Sequence, residues 1–244
     1  MTLSIAGRCP ETGMLGGAVT SSSICVASRC LFTRAGVGAA LTQNVTDPSL
    51  GDKMLNLLES VSDANSALSQ VVSEANHIQW RQLVLLDSTG SSALHTGEKV
   101  LGQHATVQGN QCAAAANLLA NQSVPSAMVE AFEKSSGHLA HRLITALEAG
   151  INAGGEEGAV FSAGVEVVHK VSWPIVDLRV DWDDEPISRL HKIWNEYQPQ
   201  LEAYLTRALN PDDAPSYGVP GLSLIHISEP TRRTPISYAV FCLK

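Results

Sequence analysis

Residues 2–21 read Thr2-Leu-Ser-Ile-Ala-Gly-Arg-Cys-Pro-Glu-Thr-Gly-Met-Leu-Gly-Gly-Ala-Val-Thr-Ser21, and this stretch decides the fold class. Apolar residues alternate over residues 2–8, as in a half-buried strand. Turn residues follow from Pro10 to Gly13, and a second β-compatible run begins at Leu15. The stretch therefore predicts a β-hairpin, in which two antiparallel strands pair without a helical crossover.

Further strand and helix patterns follow the hairpin and indicate how the chain is organised. Strand patterns are predicted over residues 35–41, 80–87, 91–96, 160–169 and 174–181. Helical patterns are predicted over residues 50–61, 63–76, 110–121, 124–134, 139–153 and 186–209, with Asp63 as an N-cap. Because hairpins stand in place of β-α-β crossovers, the order argues against a Rossmann-type sheet and predicts an α+β fold. A four-layer αββα sandwich and a two-layer α+β fold both fit this pattern.

Composition argues against several classes of partner. The 244 residues are 44% hydrophobic and 16% charged with a formal net charge of −8, so the chain can bury a full core in one or two domains. The negative charge and the lack of Lys/Arg blocks argue against a nucleic-acid partner. No apolar run approaches the roughly 20 residues of a membrane span, and the start lacks a signal-peptide pattern. We therefore expect no membrane partner and a cytoplasmic location.

Metal-binding patterns are weak in this sequence. The cysteines before residue 222 are scattered without CxxC spacing, which predicts reduced, mostly buried thiols. His138 and His141 are spaced i, i+3 on one predicted helix face, but no third ligand with suitable spacing accompanies them. A solvated helix face is therefore the favoured explanation of the two histidines. The sequence predicts neither a metal site nor a cofactor.

Thr2 carries the most specific chemistry in the chain. An initiator methionine is usually removed when the next residue is small, and the chain would then begin with Thr2. The free α-amine of such a residue has a pKa near 7.7–8.0, so part of it is an unprotonated base beside the hydroxyl. A threonine with its own α-amine is an established activated nucleophile. Thr2 is therefore the candidate nucleophile, although most Met-Thr starts have no catalytic role.

Polar side chains also lie at or near the ends of predicted strands, where binding sites often form. An amide there stabilises an acyl oxyanion, and a guanidinium such as that of Arg81 binds a carboxylate in bidentate fashion. The alternative is that these groups only satisfy backbone groups at the sheet edges or end a strand. The predicted catalytic residues are Thr2, Asn44, Arg81 and His95, and the predicted substrate-binding residues are Ser21, Gln43 and Gln82.

Several segments together resemble DUF1028, a domain of unknown function in the Ntn-hydrolase superfamily. The resemblance spans about residues 2–182, with the segments in the expected order. The matching segments begin at Thr2 (Thr-Leu-Ser-Ile-Ala, then Pro-Glu-Thr-Gly), Arg34 (Arg-Ala-Gly-Val-Gly-Ala, then Thr-Gln-Asn), Arg81 (Arg-Gln-Leu), Phe132 (Phe-Glu-Lys-Ser-Ser-Gly-His-Leu), Ala146 (Ala-Leu-Glu-Ala-Gly) and Trp173 (Trp-Pro-Ile-Val-Asp-Leu-Arg-Val-Asp).

The resemblance implies an Ntn-hydrolase-like αββα sandwich and amide hydrolysis by an N-terminal Thr, Ser or Cys. The matching position is Thr2, which removal of Met1 would expose without internal self-cleavage. Many family members carry a basic residue soon after the second strand, where Ser22 and Ser23 stand here. The group that acts on the charge of the Thr2 amine is therefore left open.

The C-terminal part of the sequence has a different character. Residues 183–221 resemble the small helical, peptidoglycan-binding-like extension that often follows this domain, and a packing helix or dimer element fits the first helix as well. Residues 222–232 and 236–243 resemble two translated blocks of a transposase sequencing adapter in one reading frame. We therefore expect domains at 1–182 and 183–221, and an artefact at 222–244 that replaces the natural sequence after Gly221.

Two functions follow from these observations. The first is an amidohydrolase that uses Thr2 to cleave a small acyl-amine or a short peptide amide. The second is a non-catalytic binding protein on the same fold, which engages a glycan or protein partner through residues 183–221. A homodimer is the default expectation for either.

Overall fold

The computed structural model describes residues 2–215. Met1, the end of the expected extension and the adapter-like stretch lie outside the described residues. Six strands form one antiparallel sheet in the order β10-β9-β2-β1-β8-β7. These strands are β1 (Thr2–Arg8), β2 (Leu15–Ser21), β7 (His104–Gly109), β8 (Cys112–Asn117), β9 (Ser162–Val168) and β10 (Val176–Val180).

The other four strands form a second antiparallel sheet in sequence order. These strands are β3 (Leu31–Arg34), β4 (Gly38–Asn44), β5 (Arg81–Asp87) and β6 (Ser92–Thr96). The helices are α1 (Ala27–Cys30), α2 (Ser49–Val61), α3 (Ala64–Glu74), α4 (Val124–Lys134), α5 (Leu139–Asn152), α6 (Pro186–Tyr197) and α7 (Leu201–Leu209).

The alternation of side chains along the strands explains how the two sheets pack. One set of inward residues from both sheets forms a single buried cluster, which includes Val19, Leu41, Val84 and Ala115. The opposite face of the four-stranded sheet packs against α2 and α3. The opposite face of the six-stranded sheet packs against α4 and α5. Each sheet is therefore covered by a helix pair on one face and by the other sheet on the second face.

A glycine shows how closely one helix layer approaches its sheet. A Cβ atom on Gly7 in β1 would lie 2.6 Å from Phe132 Cζ of α4 and 3.2 Å from Leu143 Cδ2 of α5. Real Cβ contacts are longer, so a side chain at this position would force the helices away. The predicted antiparallel sheets with covering helices are confirmed.

The strand β8 corrects one expectation. Its sequence Cys-Ala-Ala-Ala-Ala-Asn lies in the stretch 110–121 that was predicted to be helical, and alanine has the highest intrinsic helix propensity. In the structure this run is fully buried between β1 and β7. Tertiary packing overrides propensity here, because small side chains fit a strand that is covered on both faces.

Two helix starts are capped by side chains. Asp63, the predicted N-cap of α3, accepts a hydrogen bond from the Ser66 N–H at 2.8 Å. His138 caps α5, because its Nδ1 accepts from the Ala140 N–H at 3.1 Å. The His138 ring also contacts the buried Trp194 of α6, with 4.9 Å between ring centroids. Helix capping and packing thus account for His138.

The chain divides into two compact units, one up to Leu201 and one from Glu202 onward. Helix α6 is in the first unit, where Leu190 and Trp194 are buried, although the sequence analysis assigns it to the extension. The described part of the second unit contains most of α7 and a short 3-10 turn at Pro211–Asp213. Within residues 2–215, no helix combines the length and the apolar composition that crossing a membrane requires.

Candidate active site around Thr2

The first residue of β1 lies between the last residues of its two neighbouring strands. Thr2 is paired in register with Ser21 of β2 on one side and with Asn117 of β8 on the other. All three side chains are buried. Because inward and outward positions alternate along a strand, all three belong to the set that faces the second sheet, together with Ser4 and Ala115. The antiparallel pairing thus gathers three polar side chains at one end of the sheet.

The hydroxyl of Thr2 has another hydroxyl as its neighbour. Thr2 Oγ1 lies 3.4 Å from Ser21 Oγ, and Ser21 Oγ also accepts a hydrogen bond from the Ser23 N–H at 3.1 Å. Only 5% of Thr2 is exposed. The backbone after β2 therefore holds Ser21 in position beside Thr2.

A chain of buried amides links this end of the six-stranded sheet to the four-stranded sheet. Ser4 Oγ donates to Gln43 Oε1 at 2.6 Å, and Gln43 Nε2 donates to Gln82 Oε1 at 2.7 Å. Asn117 Nδ2 donates to the same Gln82 oxygen at 3.1 Å. All four side chains are fully buried. Buried polar groups of this kind are expected to be hydrogen-bonded, and in low-dielectric surroundings their bonds hold the side chains rigidly.

The carbonyl of Ala116 fixes the orientation of these amides. A carbonyl oxygen only accepts, so the Gln82 atom 3.2 Å from it is the donor Nε2, and Gln82 Oε1 is left as the acceptor for its two partners. Asn117 must then donate with Nδ2. Its Oδ1 consequently remains a buried acceptor with no partner among the described residues. This acceptor therefore lies on the residue of β8 that is paired with Thr2.

Glu156 brings a carboxylate to the same end of the sheet. It forms an isolated antiparallel bridge with Leu119, and the next residue, Glu157, donates its N–H to Leu118 O at 3.1 Å. Glu156 is 6% exposed, and neither of its carboxylate oxygens accepts a hydrogen bond of ordinary geometry from the described residues. A buried carboxylate without bonds is costly, so its presence requires an explanation.

Burial raises the pKa of the Glu156 carboxyl to about 8. The positive charge of the amino terminus and the nearby backbone N–H of Ser22 act in the opposite direction and lower that pKa. The Ser22 N–H is close enough to influence the carboxylate, although it does not complete a hydrogen bond with it.

The structure brings four of the seven sequence-predicted site residues together. Thr2, Ser21, Gln43 and Gln82 face the space between the sheets at the same end. Gln43 and Gln82 bond to each other, and Gln82 also bonds to Asn117. Because both glutamines are fully buried, they do not line an open binding surface.

The other three predicted residues make different contacts. Asn44 follows Gln43 at the end of β4, has a positive φ of 74°, and accepts a hydrogen bond from the Leu101 N–H at 3.4 Å. Arg81 donates to the carbonyl of Val45. His95 Nε2 lies 3.4 Å from Ile78 O, and its neighbour in register is Leu83, which belongs to the helix-facing cluster. The structure thus does not bring Asn44, Arg81 or His95 to the hydroxyl of Thr2.

Asn117 and Glu156 were missed by the sequence analysis. Asn117 was missed because residues 110–121 were predicted to be helical. An asparagine at the end of a run of small residues nevertheless indicates a strand end, which is the signal that selected Gln43. Glu156 lies in Gly154-Gly-Glu-Glu-Gly158, which looks like an exposed turn. In the structure it is bridged to Leu119 and is buried.

Two cavities open elsewhere on the first unit. One, of about 340 Å³, lies at the opposite end of the six-stranded sheet and is lined by Glu11, Gln111 and Arg142, among others. The other, of about 320 Å³, lies beside the β3–β4 turn, next to Asp87. Neither includes Thr2. Among residues 2–215, no three His, Cys, Asp or Glu side chains are grouped as a metal site would require.

Comparison with known proteins decides the family. The model of a family of unknown function, DUF1028, matches residues 2–190. The chain belongs to the DUF1028 family. This DUF1028 chain is 32% identical to the protein SPO2555 from Silicibacter pomeroyi, whose crystal structure is assigned to the same family. The alignment covers 81% of this chain and 86% of SPO2555, with a TM-score of 0.76.

A second solved structure aligns much less closely with this DUF1028 chain. It is Anbu (ancestral beta-subunit) from Yersinia bercovieri, with 12% identity over 83% of this chain and 97% of that chain. Its TM-score of 0.34 is too low to support an argument about fold or function. None of the curated protein sequences compared with the DUF1028 chain matches it significantly.

Proposed function

We propose that this DUF1028 protein is an Ntn-type amidohydrolase, in which Thr2 becomes the N-terminal residue and nucleophile once Met1 is removed. The observation that carries this proposal is the position of Thr2. Thr2 is the first residue of a central strand and is in register with Asn117, which belongs to a buried amide network. The Thr2 hydroxyl lies 3.4 Å from Ser21 Oγ. A nucleophile needs rigid support of this kind, since small misplacements are costly in rate.

The layer arrangement supports the same proposal. Two facing antiparallel sheets, each covered by a helix pair, match the four-layer αββα sandwich that the family resemblance implies. An N-terminal residue in a sheet of this kind is held by both of its neighbouring strands. The free α-amine and the hydroxyl of Thr2 would therefore keep a fixed relative geometry rather than fray.

The proposed reaction proceeds through an acyl-enzyme. Thr2 Oγ attacks the carbonyl carbon of the amide while its proton passes to the α-amine of the same residue. The carbonyl π-electrons move to the oxygen, and when they return the C–N bond breaks. The leaving amine takes the proton from the α-ammonium. Water then attacks the ester, the α-amine accepts its proton, and the acid leaves as Thr2 Oγ is reprotonated.

The proposed substrate is a small acyl-amine, such as an acylated amino acid, or a short peptide amide. A cytoplasmic location and a homodimer stay predictions, as do the absence of cofactor and metal. The alternative role, a non-catalytic protein that binds a glycan or protein partner through residues 183–221, also stays a prediction. Part of that segment lies outside the described residues.

Covalent labelling tests the nucleophile directly. We expect a hydroxyl-directed β-lactone to acylate Thr2, so that the intact mass rises by one lactone and peptide mapping finds the ester on Thr2. Thr2→Ser should retain the adduct and Thr2→Ala should lose it. Thr12→Ala, which removes an exposed threonine hydroxyl from the β1–β2 turn, is the matched control and should label like the wild type.

N-terminal sequencing of the natively expressed protein completes the test. Removal of Met1 should leave a single Thr-Leu-Ser start. A folded sample that retains Met1 throughout would falsify the proposed mechanism, because the α-amine of Thr2 would then be part of a peptide bond and could not act as a base.

A further inference from the structure

We propose that Glu156 is the positioning residue for the amine of Thr2, and that its carboxylate accepts a hydrogen bond from the α-amino group once that group is free. This inference rests on the proposed function and identifies the group that acts on the amine. The sequence analysis left this group open, because Ser22 and Ser23 occupy the position of the basic residue seen in many family members.

The sheet topology gives the location of the amine. β1 lies between β2 and β8, and its first described residue is paired with Ser21 and Asn117. The chain continues past that pair, to Ser22 after β2 and to Leu118 after β8. The space before Thr2 therefore lies between these two residues. Adjacent strands are about 4.8 Å apart, so this space is about one strand wide.

Glu156 lies against both sides of that space. Its backbone bridges Leu119 and the following residue bonds to Leu118, so the residue is fixed to the β8 side. On the other side, the backbone N–H of Ser22 is near enough to lower the pKa of the carboxyl. With its backbone fixed on one side and its carboxyl group near Ser22 on the other, Glu156 is placed beside the space that the amine would occupy.

The hydrogen-bond inventory is consistent with this position. Among the residues that the structure describes, the two buried carboxylate oxygens of Glu156 have no hydrogen-bond partner, and neither has Asn117 Oδ1. An α-ammonium carries three N–H donors and no acceptor, so it complements this set of acceptors. Leaving buried acceptors unmet destabilises the fold, and hydrogen bonds from the free amine would remove that cost.

The role follows from the charge that the reaction creates. When the α-amine takes the proton from Thr2 Oγ it becomes an ammonium in a buried site, where an isolated charge is costly. The ammonium charge favours the ionised form of Glu156, and that carboxylate stabilises the ammonium and holds the nitrogen towards the hydroxyl, as the aspartate of a Ser-His-Asp triad does for its histidine. Glu156 itself need not exchange a proton with the substrate.

Titration of the amine tests the proposal without requiring catalysis. The full chain is produced with Thr2 as its first residue by cleavage of an N-terminal fusion, and the Thr2 Cα and Hα shifts are followed by NMR against pH. An adjacent carboxylate raises the pKa of an amine, so Glu156→Gln should lower the pKa of the Thr2 amine by about one unit or more. Glu156→Asp should retain part of the effect.

Glu157→Gln is the matched control, because it makes the same chemical change at the adjacent, exposed residue. It should leave the amine pKa unchanged. Circular dichroism and thermal melting verify that each variant is folded. The inference is overturned when folded Glu156→Gln and Glu156→Asp both give an amine pKa within about 0.3 units of the wild type.

Acylation by the β-lactone separates this inference from the proposed function. If both hold, Glu156→Gln lowers the maximal acylation rate by about 100-fold and leaves the binding constant of the lactone nearly unchanged. If the wild type fails to label while Glu156→Gln still shifts the amine pKa, the proposed function fails and the pairing stands. If the wild type labels and the variant labels at the same rate with an unshifted pKa, only the role of Glu156 fails.

Discussion

Gln43 Nε2 lies 2.7 Å from Gln82 Oε1 in the buried space between the two sheets, and these two amides of the four-stranded sheet bond to Ser4 and Asn117 of the sheet that carries Thr2. Gln82 is the centre of the network, since it also bonds to Asn117 and to the carbonyl of Ala116. The site on one sheet therefore depends on the register of the other. A substitution at Gln82 should therefore alter the position of Thr2, although no hydrogen bond joins the two residues.

Gln82→Leu should destabilise the fold strongly. The change leaves two buried donors without partners, Gln43 Nε2 and Asn117 Nδ2, and removes the side-chain donor to Ala116 O. At about 1–3 kcal/mol for each unmet donor, we expect a loss of at least about 2 kcal/mol in the free energy of unfolding. Urea denaturation measures it. Gln108→Leu, which removes an exposed amide bonded to Ser92, should cost less than about 1 kcal/mol, and equal losses for the two variants would contradict this account.

Ser21→Ala should slow the acylation of Thr2. The change removes the hydroxyl 3.4 Å from Thr2 Oγ1 and the acceptor of the Ser23 N–H. The loss of about one hydrogen bond corresponds to a five- to tenfold lower rate of β-lactone labelling. Ser28→Ala, an exposed hydroxyl bonded to Cys25 O, is the control and should label at the wild-type rate. An unchanged rate in Ser21→Ala would remove Ser21 from the site.

Glu166→Gln should change how stability depends on pH. Burial raises the pKa of the Glu166 carboxyl to about 7 and the charge of Asp177 adds to this effect, while the hydroxyl of Thr33 donates to the carboxylate and lowers the pKa. The folded-state pKa lies above the ordinary value of 4.5, so this group favours folding at low pH. That contribution is lost as the pH rises from about 4.5 through 7.

The variant removes the ionisation and retains an oxygen for Thr33. We expect it to be more stable than the wild type at pH 8 relative to pH 4.5, by on the order of 2 kcal/mol. Urea unfolding at the two pH values gives the difference, with the exposed Glu157→Gln as the control. Parallel stability profiles for Glu166→Gln and the wild type would show that burial does not raise this pKa.

Gly51→Ala should destabilise helix α2 despite its better helix propensity. Alanine is favoured over glycine by about 1 kcal/mol inside a helix. Here the added Cβ would lie 2.2 Å from Phe32 Cδ2, so the aromatic ring must move. We expect a net loss of about 1–3 kcal/mol in the free energy of unfolding, and a smaller loss when Phe32→Leu is present. An increase in stability from Gly51→Ala alone would mean that the ring moves at no cost.

The thiols should differ in reactivity according to burial. Burial raises the pKa of Cys112 to about 12 and also raises that of Cys30, while Cys25 is partly exposed. Because the thiolate is the reactive form, iodoacetamide at pH 8 should label Cys25 well before Cys30 or Cys112. Peptide mapping over time measures each rate, and labelling in urea shows that all sites are detectable. Equal rates for Cys25 and Cys112 in the folded protein would contradict the burial.

Several local features could be predicted from the sequence because their causes are local. The alternation over residues 2–8, with the turn that follows, predicts the β1–β2 hairpin, and the side chain of Asp63 caps α3 as expected. Helices α4 and α5 could also be predicted, because the apolar residues that form one face of an amphipathic helix recur with the helical period in the sequence. Thr2 was predicted from its place after Met1 and Ser21 from its place at a strand end, and the hairpin pairs these two residues in register.

The sequence by itself determined the antiparallel class of the fold, its amphipathic helices and the candidate nucleophile, since these follow from alternation, period and residue type. Only the tertiary structure decided that Cys112–Asn117 is a strand, because burial between two neighbours outweighs the helix propensity of alanine. The same packing decided the site. Gln82, Asn117 and Glu156 are far apart in the chain, and antiparallel pairing brings them to the end of the sheets at which Thr2 lies.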